Sequence, residues 1–179
     1  MQHLGLVSVL VLIIGLTITV VKRPAGLDVT FSQRVANNKL AEVLYSLLFI
    51  ISLPILFLFF ATWFVPVNGV SQAFLLFAAI SAIFQIACTW VPERGGRMTV
   101  IHRLLTGISG IALLPMVLLI ATTSSISAEL RYIAWVVLTT MIILLTIALI
   151  NQKGFKYALL LQVSYYAVFF ALVLLVTYL

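Results

Sequence analysis

Charge is the scarcest commodity in this sequence: ten Lys and Arg and four acidic residues serve 179 positions, 8% of the chain. Soluble domains carry about a quarter charged residues, and a set this small cannot cover a water-facing surface of that length. Cysteine is limited to Cys88. That excludes an internal disulfide framework and a cysteine-rich metal site, and a lone thiol in an apolar run reads as a small buried hydrophobe. Histidine is limited to His3 and His102. What the chain has in excess is apolar, 64% by residue, and an excess of that size must face lipid.

Six charge-free apolar runs occur, at Leu4–Val21, Val43–Val65, Val70–Val91, Leu104–Thr122, Tyr132–Ile150 and Tyr157–Tyr178. Each is close to the roughly 20 residues that a helix needs to cross the hydrocarbon core. A barrel strand would alternate in polarity over about 10 residues, and these runs are apolar all round. In lipid the backbone must satisfy its own hydrogen bonds, so the runs are helices. The expected architecture is all-α, a single transmembrane domain over 1–179 built as a polytopic bundle of six helices. The first run has no basic stretch before it, and Lys22 and Arg23 follow it. It is therefore expected to be a retained anchor rather than a signal peptide.

The basic residues set the orientation. The first connection holds Lys22, Arg23, Arg34 and Lys39, the third Arg94, Arg97 and Arg103, and the fifth Lys153 and Lys156, nine of the ten. With six alternating helices they share one side. Connections 22–42, 92–103 and 151–156 are thus expected in the cytoplasm of a cell membrane, with both termini outside. Trp63, Trp90 and Tyr178 suit the aromatic belt. Pro66 and Pro92 should end the second and third helices, and Pro54 and Pro115 should kink theirs.

Helices in lipid associate through small residues and a few polar contacts. Gly5, Ser8, Gly15 and Thr19 form one such face on the first helix. Ala78, Ala82, Gln85 and Thr89 form another on the third, so Gln85 should face protein. Thr106, Gly107, Ser109 and Gly110 lie on the fourth helix, and Ala158, Gln162, Tyr165 and Phe169 share a stripe on the sixth. Close packing alone accounts for these stripes. A transport path lined by Gln85, Thr106, Gln162 and Tyr165 is the competing reading.

No run contains Asp, Glu, Lys, Arg or His. That counts against a proton-coupled pump, a voltage sensor and a retinal-type lysine, which need ionisable groups at membrane depth. It also counts against haem held between His3 and His102, which fall on opposite sides. The densest polar cluster is Pro92–Arg97 with His102 and Arg103. Arg34, Arg94, Arg97 and Arg103 offer forked donors for a phosphate or carboxylate headgroup, and the plain alternative is a topology signal with general attraction to anionic lipid. Glu93, His102 and Asp28 are too few for the usual three-ligand catalytic zinc site. No metal, cofactor or nucleic acid is expected, and catalytic residues are not identifiable.

Three short motifs carry a family resemblance. Phe31-Ser32 precedes the second helix, Pro92-Glu93 closes the third, and His102 opens a fourth that reaches Leu114-Pro115. In these the chain resembles the bacterial family called domain of unknown function 998, and more loosely the Frag/DRAM-type six-helix proteins. The resemblance implies a six-helix membrane bundle and no particular chemistry. The family usually has Asp where Glu93 stands, often has more histidines, and has polar loops drawn on the outer face, opposite to the orientation read from charge.

Three functional classes follow. The first is a non-enzymatic accessory or lipid-interacting membrane protein, whose partners are anionic membrane lipids and a protein partner or a second copy. The second is a small carrier or channel for a lipid-like or weakly polar solute. The third is a lipid-headgroup-modifying enzyme using Glu93, His102 and the arginines.

Overall fold

A computed structural model describes residues 1–150 and 156–179. Lys153 and most of the fifth connection lie outside the described residues. Among the described residues every regular element is a helix, without strands. The helices are α1 (Gln2–Lys22), α2 (Phe31–Val35), α3 (Lys39–Asn68), α4 (Ala73–Thr89), α5 (Gly96–Thr122), α6 (Ala128–Ile150) and α7 (Ala158–Tyr178). Five of them, α1, α3, α5, α6 and α7, are long and apolar enough to cross a membrane. The third run yields only 17 helical residues in α4, about 25 Å at the helical rise. It loses both ends for local reasons. Gly69 stands in the left-handed region (φ 64°) and turns the chain before it, and Pro92 draws the residue ahead of it out of helical conformation.

Pro66 does not end its helix, contrary to the sequence expectation. It lies two residues from the end of the continuous helix Lys39–Asn68, and Gly69 supplies the stop. The preceding turn, Phe60–Phe64, is π-helical. In α5 the regular helix breaks at Ala112, between Gly96–Ile111 and Leu113–Thr122, about one turn ahead of Pro115. A proline ring disturbs its helix at that offset.

The first connection is more ordered than composition suggests. Thr30 and Gln33 form a reciprocal capping box for α2, and the Asn38 side chain accepts from Ala41 N to start α3. Phe31 and Val35 are buried.

The helices pack in sequence order as a ring: α1 on α3, α3 on α4, α4 on α5, α5 on α6, and α6 on α7. The α1–α3 contact uses the small-residue face expected of it. Gly5 and Ser8 are buried, a Cβ on Gly5 would stand 2.8 Å from the Phe59 ring, and Ser8 Oγ donates to Ser52 O at 2.7 Å. Phe59, Phe60, Phe64 and Phe74 interlock at ring separations of 5.0–5.8 Å and fill the end of the bundle that carries the termini. On the outside, Ile14, Ile83, Tyr132 and Ile143 are each more than half exposed. Apolar exposure on that scale suits lipid and not water.

Candidate functional site

Two polar constellations arise from this ring. The first joins the first and third connections at the basic end. Glu93 is its hub, with a side chain only 5% exposed. One carboxylate oxygen accepts from Ser32 Oγ (2.9 Å) and Thr30 Oγ1 (3.1 Å), and the other from Arg103 Nε (3.1 Å). Arg94 bonds the Ala36 carbonyl and pairs with Glu42. His102 is buried, with Nδ1 2.6 Å from Val91 O. Its ring therefore holds the chain just past α4.

These contacts revise the headgroup reading. Arg34 is 7% exposed and donates to the carbonyls of Arg23, Ala25, Gly26 and Val29. A guanidinium used in this way organises its own loop and presents no fork to a phosphate, so Arg34 is corrected from a headgroup candidate to a loop-organising residue. Glu93, Arg94 and His102 are likewise engaged with protein. Arg97 is exposed and Arg103 half-exposed, its side chain at 49%. Both keep surface exposure, and Arg103 is also paired with Glu93.

The second constellation is an apolar cavity of about 590 Å³, within the usual range of ligand pockets. Its walls come from α1, α3, α4, α5 and α7. The ring closes loosely where α7 returns to α1. The two helices are tied at one end by Gln2 Nε2 donating to Thr177 O (3.0 Å). At the other end the α7 start is tied to the first connection by Leu159 N donating to Leu27 O (2.8 Å). Between these ties the cavity separates them. Ile13, Thr17 and Val21 on α1, and Val163, Ala167 and Ala171 on α7, line it and are also exposed. Each set repeats every four residues, so each forms one vertical edge, and together they frame an opening to the bundle's exterior.

The cavity's polar content is a small neutral cluster. Gln85 Oε1 accepts from Tyr166 OH (3.1 Å), and the single Ser109 hydroxyl proton is shared between Gln85 Oε1 (3.3 Å) and Ser81 O (3.0 Å). Gln162 lines the same cavity, and its Oε1 is buried without a hydrogen-bond partner. Gln85 and Gln162 thus line one cavity. Thr106 and Tyr165 do not join them, which corrects the proposed lining. Thr106 donates back to His102 O (2.9 Å), and Tyr165 OH is used by Gly110 O (2.7 Å). Tyr166, Ser81 and Ser109 take their place. Tyr166 stands four residues after Gln162 and Tyr165 three. Both spacings share a helix face, so only the packing against α5 decides between them.

No family model, no curated protein and no solved structure matches the chain.

Proposed function

We propose that the chain is a six-span protein of the cell membrane that takes a lipid-like amphiphile into the cavity between α1 and α7 without altering it chemically. The single observation that carries this reading is the cavity itself: large, apolar, and framed by residues that also face the exterior. In this proposal α4 is the sixth span, helped across by Val70 and Trp90 beyond its ends. Connections 22–42, 92–103 and 151–156 lie in the cytoplasm with both termini outside, and anionic lipids gather at Arg97 and Arg103. Kinship with the domain of unknown function 998 is part of the proposal. It is supported by the way Ser32, Glu93 and His102, which carry the resemblance, gather at one end of the bundle.

Native mass spectrometry of protein extracted in mild detergent tests the binding. The expected result is a retained lipid adduct that Ala167→Trp, placed on the edge of the opening, removes while leaving the helical circular dichroism unchanged. A bare chain, or an adduct untouched by Ala167→Trp, refutes it.

A carrier is the second reading, favoured by the two glutamine amides at the cavity. It requires the Phe59–Phe60–Phe64–Phe74 cluster to open, and vesicle flux of a bound lipid would separate it from simple binding. A headgroup-modifying enzyme draws less support, because Glu93 and His102 both spend their polar atoms on protein partners.

A further inference from the structure

The cavity's hydrogen-bonding inventory names the kind of molecule it suits, an inference that rests on the binding reading above. Among the described residues no charged side chain lines the cavity. A charged group drawn into such a place loses its hydration without compensation, so the part of the ligand that enters is neutral. Polar groups are nonetheless present, and they are unevenly used. Gln85 is 5% exposed; its Oε1 is taken by Tyr166 and Ser109, while its Nε2 has no partner among the described residues. On α7, Gln162 also lines the cavity, and its Oε1 is buried and unpartnered. A buried amide oxygen in that condition is destabilising and calls for an explanation.

One unused donor and one unused acceptor on residues of the same lining suit a hydroxyl, which accepts and donates at once. We infer that the cavity selects a neutral, hydroxyl-bearing, long-chain lipid, whose hydroxyl accepts from Gln85 Nε2 and, as the Gln162 amide turns its covered oxygen toward the cavity, donates to Gln162 Oε1. Gln85 lies one turn before the end of α4 at Thr89, and Gln162 one turn after the start of α7 at Ala158. The hydroxyl therefore sits just beneath the basic surface. The remaining cavity runs along α7 from Leu159 to Leu174, roughly 22 Å at 1.5 Å per residue, and is walled by aliphatic and aromatic side chains that suit a chain. The opening edged by Thr17 and Ala167 lets that chain enter sideways from the bilayer.

The test compares two probes on the full-length protein in phosphatidylcholine vesicles: hexadecanol carrying a photoactivatable diazirine, and its methyl ether carrying the same group. Methylation keeps the acceptor and removes the donor. The alcohol is expected to label α1, α4 and α7 peptides at least about fivefold more than the ether, the scale of one net neutral hydrogen bond. In Gln162→Leu, the two probes should label equally. Equal labelling of the cavity by both probes in the unmodified protein overturns the hydroxyl inference and leaves the binding reading standing. Labelling that misses the cavity helices with both probes overturns the two together. A diazirine palmitate that labels the cavity better than the alcohol overturns the neutrality argument.

Discussion

Ser32 Oγ donates to the Glu93 carboxylate at 2.9 Å, across 61 positions of the chain. This bond, with those from Thr30 and Arg103, fastens the first connection to the third and fixes the basic end of the bundle. Removing the carboxylate strands buried hydroxyls, since Ser32 is 6% exposed. Glu93→Ala is expected to cost about 1–3 kcal/mol, the penalty for leaving buried polar groups unpaired. Ser32→Ala should cost about 1 kcal/mol, because its loss leaves Glu93 its bonds from Thr30 and Arg103. Unfolding midpoints in mixed micelles check both, and a double-mutant cycle should show positive coupling between the pair.

Gly5 and Gly15 look equivalent on the small-residue face of α1, yet they should respond differently to Ala. At Gly5 the new Cβ meets the ring of Phe59, which is fully buried among other aromatic rings. At Gly15 it meets the flexible end of Leu48. Gly5→Ala is expected to destabilise by about 1–3 kcal/mol, as overpacking does, and Gly15→Ala to change stability little or to raise it. Thermal unfolding of the two variants side by side makes the comparison.

Gln162→Leu should raise the unfolding midpoint of the ligand-free protein. The substitution removes a buried carbonyl that has no partner, a group whose burial costs about 1–3 kcal/mol. A stabilising change that impairs binding is the pattern expected where a site is kept for function rather than stability. Thermal unfolding of delipidated protein, with and without added lipid, reads both halves of this expectation.

The orientation is open to direct labelling. With Cys88 replaced by Ser, a cysteine at Arg97 should resist a membrane-impermeant maleimide in intact cells and react after permeabilisation, whereas one at Ser124 should react in both. The reverse pattern inverts the bundle and would agree with the outward polar loops of the resembling family.

Much of the helical layout is legible in the sequence because hydropathy and proline placement are local signals. Each of the six apolar runs contains a helix, and the Gly5–Ser8 face of α1 packs as small residues in lipid should. The exceptions are also local. Pro66 reads as a stop, yet the helix runs past it to Asn68, and Gly69 does the stopping. The site is less legible because it depends on pairings between distant segments. Nothing near Arg34 announces that its guanidinium will close on the carbonyls of its own loop. Gln85 and Gln162 are visible as rare amides in apolar helices, but the choice of Tyr166 over Tyr165 rests on how α7 is rotated against α5. The cavity has no sequence signature at all. It exists where α1 and α7 part, between the Gln2–Thr177 bond and the Leu27–Leu159 bond.

Entry of lipid chains into that gap is the claim on which the rest depends, and quenching by brominated acyl chains measures it most directly. With Trp63, Trp90 and Trp135 replaced by Phe, a single reporter is placed by Phe49→Trp, on the cavity wall, or by Phe64→Trp, in the sealed aromatic cluster. Both positions are buried, so burial alone cannot separate them. In vesicles of brominated phosphatidylcholine, the reporter at position 49 should be strongly quenched and the one at position 64 protected. Equal protection of both would show a closed bundle and contradict the account.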